Sequence, residues 1–325
     1  MKIKYWQAVN QALADSLEED ERVVLYGEDV GAAGGPFGAS KGLQERFGNV
    51  RVRDTPISEA AIIGSAVGAA MTGLRPIVEI MFMDFMGLAV DQIVNQAAKV
   101  SYMSGGAFHA PMVVRTLCGA GRSTGPQHEQ SFEEWFSNVP GLTVAWPSDP
   151  ADAYGLLRAA VLDDNPVIVV ESLRLWSTSQ EVSSLATVPL GRAFVRRTGT
   201  DVTLVAWGAA VTRAMAAAEQ CADHGVSVEV IDLRTISPLD EETVLTSIES
   251  TGRLAIIEDG PGHLSVGTRI ASLAAGPGFG SLVAPVIHVS SPFAPAPFAP
   301  VLEDAYFPSA VRTADEILSS MEVVG

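Results

Sequence analysis

Cysteine is nearly absent from this chain, with only Cys118 and Cys221 among 325 residues, far apart and in apolar company. That excludes a disulfide framework and a zinc cluster, and it points to a reducing, cytosolic compartment. Basic residues are also scarce, 21 against 38 acidic ones, for a formal net charge of -17. A surface that tracks phosphates needs a basic stripe, so nucleic acid is not an expected partner. No apolar run approaches the roughly 18 residues of a membrane span. Met1-Lys2-Ile3-Lys4-Tyr5-Trp6 leads straight into a helical pattern (Ala8, Val9, Ala12, Leu13) without the apolar core of a signal peptide. The expectation is a cytoplasmic chain, neither secreted nor membrane-spanning. The common site motifs are missing too: no P-loop, H-E-x-x-H, C-x-x-C or G-x-S-x-G, and Gly31-Ala32-Ala33-Gly34-Gly35 is not a G-x-G-x-x-G. That argues against a nucleotide-binding enzyme complete in this one chain.

What is present is a globular composition, 47% hydrophobic and 18% charged, long enough for about two domains with real cores. In the first half, Val23-Val24-Leu25-Tyr26, Ile77-Val78-Glu79-Ile80-Met81, Met112-Val113-Val114-Arg115 and Val167-Ile168-Val169-Val170-Glu171 read as buried strands. Residues 60–71 and 88–103 carry helical periodicity between them, and such alternation implies a parallel sheet. Gly64, Gly68 and Gly73 predict a close packing contact rather than a phosphate site, which needs glycines ahead of the helix. A Ser-, Thr- and Gln-rich stretch then interrupts the pattern. The predicted organisation is residues 1–175 as one α/β domain, 176–190 as linker, and 191–325 as a second, smaller one. Strands in the latter are expected at 202–206, 226–231, 254–258 and 286–289. Residues 292–300, with a proline at regular short intervals, are expected to run extended as a surface strap or interface arm.

Polar residues in apolar surroundings are the chemical candidates. Glu59 opens a helix whose next four residues are all apolar, and is either a charge complementing the helix dipole or a desolvated functional group. Glu28 and Asp29 follow a buried strand, at the edge where parallel sheets bind ligands; solvated loop charges are the alternative. His128 sits in the polar loop Gly125-Pro126-Gln127-His128-Glu129-Gln130-Ser131, where an imidazole serves as acid, base or donor. Met81, Phe82, Met83 and Phe85 read as core.

Several runs resemble the β subunit of thiamine-diphosphate-dependent 2-oxoacid dehydrogenases: Gly27-Glu28-Asp29-Val30-Gly31, Arg51-Val52-Arg53-Asp54-Thr55-Pro56-Ile57-Ser58-Glu59, Gly73-Leu74-Arg75-Pro76, Asp91-Gln92-Ile93-Val94-Asn95-Gln96-Ala97-Ala98-Lys99 and Tyr102-Met103-Ser104-Gly105-Gly106. Pro140-Gly141-Leu142, Asp232-Leu233-Arg234-Thr235 and Ser237-Pro238-Leu239-Asp240 continue the match over nearly the whole chain. Pyruvate, branched-chain oxoacid and acetoin dehydrogenases share these runs. The resemblance implies a thiamine pyrimidine-binding domain followed by a transketolase C-terminal-type domain, each a mostly parallel sheet flanked by helices. It also implies pairing with an E1 α subunit as an α2β2 heterotetramer. The diphosphate and its Mg²⁺ would be held by a Gly-Asp-Gly motif on α, a motif this chain lacks.

Residue by residue, the resemblance makes Glu59 the cofactor-activating carboxylate, Phe85 the aromatic against the pyrimidine, and Ile57 and Met81 its apolar lining. Glu28 matches an acid between two active sites, and His128 the histidine implicated in acyl transfer to the lipoyl group of the E2 acyltransferase. Met112, Ala160, Asp163 and Asn165 match the ligands of a structural K⁺, oxygen donors that suit a hard cation, although a solvated turn reads nearly as well. Two positions depart from the pattern. The usual His-Ser-Gln is His128-Glu129-Gln130, where Glu129 either raises the histidine pKa or points to solvent, and Leu88 stands where pyruvate enzymes carry Gln. Met86-Gly87-Leu88 looks more like the acetoin branch. The expected activity is cleavage of a 2-oxoacid or acetoin with acyl transfer to a lipoyl carrier. The alternative is a biosynthetic relative passing a two-carbon unit from a ketose phosphate to an acyl carrier protein.

Overall fold

The computed structural model describes residues 1–322 and holds two large sheets. The last three residues of the expected second domain, 323–325, lie outside the described residues. The strands, numbered in chain order, are β1 (Lys2–Lys4), β2 (Val23–Gly27), β3 (Val52–Asp54), β4 (Arg75–Phe82), β5 (Val113–Cys118), β6 (Thr143–Ala145), β7 (Val167–Ser172), β8 (Ser179–Glu181), β9 (Phe194–Arg197), β10 (Val202–Ala206), β11 (Val228–Asp232), β12 (Thr235–Ser237), β13 (Leu254–Pro261) and β14 (Ile287–Ser291). The first sheet has the order β12-β6-β7-β5-β4-β2-β3 and is parallel except at β12, which comes from the second half of the chain. The second has the order β14-β13-β10-β11-β9, parallel except for its edge strand β9.

The central strands β2, β5 and β7 are buried along their whole length because helices cover both faces, which is why they read as unbroken apolar runs. The helix Glu59–Met71 lays Ile62, Ile63, Ala66, Val67 and Ala70 on one side of the sheet, and Tyr26 of β2 meets Ser65 Oγ at 3.2 Å. On the other side the helices Tyr5–Glu19 and Pro150–Leu162 pack together. The second of these begins with Asp149, whose carboxylate accepts from the Asp152 N–H at 2.8 Å, followed by Pro150 in the first turn.

Three expectations need correction. The segment 88–103 is not one helix: a 3₁₀ helix Met83–Ala89, a π-helical turn Gln92–Ala97 and a short α-helix Val100–Met103 replace it. A straight helix buries one stripe, whereas this segment bends around the helix Glu59–Met71 and carries Ala98 to the backbone of Gly141. The stretch 176–190 is not purely a connector, because β8 within it pairs antiparallel with β1. The proline-rich segment has no helix or strand from Pro292 to Ala299, but Pro300 starts the helix Pro300–Tyr306. Of the glycines, Gly64 packs on Gln92, where an added Cβ would lie 3.3 Å from its Cγ, while Gly68 and Gly73 face open space in this chain.

Candidate active site

The carboxyl ends of β2, β3, β4 and β5 gather most of the residues singled out by sequence at one edge of the first sheet, where parallel α/β sheets present loops to ligands. Glu28 is the first residue after β2, and Asp29 next to it takes a left-handed turn (φ 56°). Gly27 leaves no room for a side chain, since a Cβ there would sit 2.6 Å from the Glu79 carbonyl oxygen of β4. Asp54, closing β3, accepts from the Gly31 N–H at 2.6 Å, and the Thr55 N–H donates to the Gly27 carbonyl at 3.0 Å. These bonds pin the segment that delivers Ile57 and Glu59 beside Glu28. Burial, reinforced by the neighbouring charges of Asp29 and Glu59, holds the Glu28 carboxyl above the usual range. Glu59 is the first residue of its helix and half-buried; Ile57 is 74% exposed, so the apolar wall it was expected to form is open in the single chain.

β4 and β5 deliver the second group. Phe85 lies on the 3₁₀ helix that follows β4, and its ring packs edge-on to Phe82 (centroids 5.8 Å) and to His128 (5.5 Å). Phe82 also meets His128 edge-on at 4.8 Å, and Met81 packs into the same cluster. The His128 loop is fastened at both ends: its carbonyl accepts from the Gly119 N–H at 3.1 Å, and its N–H donates to the Gly125 carbonyl at 3.0 Å. The helix Glu59–Met71 packs against the 3₁₀ helix Met83–Ala89, so the carboxylates and the aromatic group are neighbours on one edge.

Glu129 does not point to solvent: it is buried and turns back into its own loop, accepting from Thr124 Oγ1 and the Gly125 N–H, each at 2.9 Å. One residue at this edge was missed by sequence. Asp84 accepts from Gln130 Nε2 at 2.8 Å, and burial pushes its carboxyl up despite the bonds from Gln130 and the nearby charge of His128. The signal was a single acid inside Met81-Phe82-Met83-Asp84-Phe85, an apolar run at a strand end. Beneath the site lies a fully buried triad: Arg115 donates to both oxygens of Glu171, each at 2.8 Å, and to Glu79 at 2.6 Å.

Met112, Ala160, Asp163 and Asn165 lie at the opposite, amino end of β5 and β7. Some of their oxygens have partners within the chain: the Met112 carbonyl takes the Val167 N–H (3.0 Å), Asp163 Oδ1 takes the Asn165 N–H (2.8 Å), and the Asp163 carbonyl takes Arg75 Nη1 (2.9 Å). Among the described residues no group of three or more His, Cys, Asp or Glu is placed to hold a metal ion. No helix of the described residues is long and apolar enough to cross a membrane. A cavity of about 870 Å³ lies between the two halves, lined by Trp135, Ser265, Arg269 and Phe293, and it does not include Glu59, Phe85 or His128.

Glu28 and Glu59, with Phe85 and His128, gather half-buried on the carboxyl edge of a parallel sheet. Residues 1–177 match the transketolase pyrimidine-binding domain and residues 191–312 the transketolase C-terminal domain. The β subunit of acetoin:2,6-dichlorophenolindophenol oxidoreductase from Bacillus subtilis is 46% identical over 98% of this chain and 96% of its own length. The pyruvate dehydrogenase E1 β subunit of Rhizobium meliloti is 44% identical over 96% of this chain and 68% of its own, and the 2-oxoisovalerate dehydrogenase β subunit of Bacillus subtilis 40% identical over 93% of both. A solved split-gene transketolase, described as an inactive β4 tetramer, shares the fold with a TM-score of 0.81 at 21% identity, covering 99% of both chains. The chain belongs to the transketolase-like family of 2-oxoacid and acetoin dehydrogenase E1 β subunits.

Proposed function

We propose that this chain is the β half of a heteromeric thiamine-diphosphate enzyme that cleaves acetoin or a 2-oxoacid and passes the acyl group to a lipoyl carrier. The observation that carries this reading is the convergence of Glu28, Glu59, Phe85 and His128 on one sheet edge. The residues fit the pyrimidine half of the cofactor: a half-buried carboxylate as acceptor, an aromatic ring, and the apolar surface of Ile57 and Met81. They offer nothing for a diphosphate or Mg²⁺, which accords with an E1 α subunit supplying both and closing the open side. When bound, thiamine diphosphate would supply the nucleophilic carbon for cleavage of the donor.

The roles of this chain then follow from its geometry. Glu59 would accept a hydrogen bond from a ring N–H of a bound pyrimidine, and closure by α would exclude water and strengthen it. Phe85, braced by Phe82 and His128, would set the plane of that ring. Glu28, its carboxyl held above the usual range by burial, stands next to Glu59. His128 presents its imidazole to the substrate from a loop tied at both ends. A structural K⁺ on Met112, Ala160, Asp163 and Asn165 belongs to the same reading, and a lower unfolding temperature in sodium than in potassium is its test.

The relatives are β subunits of dehydrogenases or of an acetoin oxidoreductase, so the ketose-phosphate alternative is not favoured. The experiment is to assemble the chain with its α partner, thiamine diphosphate and Mg²⁺, and to follow dye reduction with acetoin, pyruvate and branched 2-oxoacids. Turnover of at least one, with acetoin first, is expected. Cofactor binding without turnover of any of them would remove the reading.

A further inference from the structure

Position 129 is where this chain departs from the His-Ser-Gln pattern, and the structure gives the departure a purpose. The Glu129 side chain is 3% exposed; its Oε1 accepts from the Thr124 N–H, from Thr124 Oγ1 (2.9 Å) and from the Gly125 N–H (2.9 Å), while its Oε2 is buried without a donor. Glu303, on the helix Pro300–Tyr306 in the other half of the chain, is also 3% exposed. Its two oxygens accept from the Ser123 N–H (2.9 Å) and Ser123 Oγ (2.8 Å). Two buried carboxyls thus hold consecutive residues of the His128 loop. If both were ionised they would repel in a dry setting, and one Glu129 oxygen would stay unsatisfied.

We propose that Glu129 and Glu303 share one proton, donated from Glu129 Oε2, and that this carboxyl–carboxylate bond is a latch positioning the His128 loop against the second half of the chain. The assignment of the proton follows from the surroundings. Arg174 stands beside Glu303 and favours its ionised form; nothing comparable faces Glu129, whose other neighbours are the backbone of its loop and the Tyr306 phenol. Burial pushes Glu129 up, whereas at Glu303 burial is outweighed by the bonds from Ser123 together with the charge of Arg174, which hold it below the usual range. The other charges at the loop are His128 itself, exposed Arg122, and Asp84, bonded to Gln130.

The sign is determined by linkage. Glu129, raised in the fold, contributes below its unfolded pKa and loses that contribution as pH rises through its folded value; Glu303, lowered, loses its contribution as pH falls through its own. The latch therefore holds in between and opens on the alkaline side by loss of the shared proton to solvent.

Hydrogen exchange of residues 119–131 in the assembled α–β pair, corrected for the intrinsic pH dependence of exchange, reads the latch without using activity. In the wild type, protection is expected to fall as pH rises. Glu129→Gln, whose amide donates to Glu303 at every pH, should keep protection and exceed the wild type by about tenfold at alkaline pH, the equivalent of one charge-assisted hydrogen bond. Glu129→Ala should lose protection throughout. The same pH dependence in the wild type and Glu129→Gln would overturn the latch. Its importance for turnover rests on the proposed role of His128, but the exchange result does not: the expected exchange pattern in a pair inactive with every donor supports the latch and removes only the functional reading.

Discussion

A single carboxylate, Glu59, shows how one residue can satisfy a bland reading and a sharp one at once. It stands at the first position of its helix, where an acid complements the dipole, and that interaction contributes only about 0.3–1 kcal/mol. Glu59→Gln in the assembled pair should therefore leave the unfolding transition almost unmoved while lowering turnover by about 100-fold or more, the range for losing a proton-handling group. A pair that keeps full activity would reduce Glu59 to its helix-start role. Arg115 behaves in the opposite way. It is wholly buried, and without it Glu79 and Glu171 would face each other uncompensated under β4, β5 and β7. Arg115→Met should cost about 3–5 kcal/mol in denaturant unfolding, whereas replacing all three by apolar residues should recover most of that loss. The charges of this triad were visible in sequence as polar breaks in three strand runs. Their mutual contact was not, because sheet order is set by crossovers that no local pattern encodes.

Among the elements, strands and the helix Glu59–Met71 were legible because burial leaves continuous or periodic apolar runs: β10 falls on the expected residues, β2 and β7 within one residue, and β5 within three. The segment after β4 was not, since its apolar spacing fits a helix while its environment demands a bend. Short β9, exposed at its edge, and β12, which crosses to the first sheet, carried too few residues for a pattern. The bend has an anchor that sequence did show as a motif: Gly141 adopts φ 96°, and a side chain there would collide with the Ala98 carbonyl. Gly141→Ala should destabilise the chain by about 2 kcal/mol or more, combining a left-handed backbone with a clash against main chain. Chemical unfolding measures the loss, and a value within a few tenths of wild type would mean the π-helical turn yields freely.

For the whole molecule, the question is what fastens the two sheets to each other, and the answer is a charged cluster as well as apolar packing. Arg196 of β9 reaches Asp149 (2.7 Å), Asp152 and Asp232 (2.7 Å), and Arg234 reaches Asp152 (2.8 Å), so the start of the helix Pro150–Leu162 is tied to the second sheet. Three acids meet two bases, leaving one negative charge in excess in a place with little water. Burial first, and then repulsion from Asp149, pushes the Asp152 carboxyl up to about 6 from an ordinary 3.8. The folded state therefore holds a proton that the unfolded chain has released, and stability from this group is lost as pH rises through that window. A shift of that size corresponds to about 3 kcal/mol. Asp152→Asn keeps an acceptor for Arg196 and Arg234 and removes the titration. The difference in unfolding free energy between variant and wild type should accordingly swing in favour of the variant as pH rises from about 4 to 6.5, then level off. Measured as paired denaturation curves across that range, a difference that stays flat would mean that Asp152 is ionised throughout and that the two arginines alone balance the cluster.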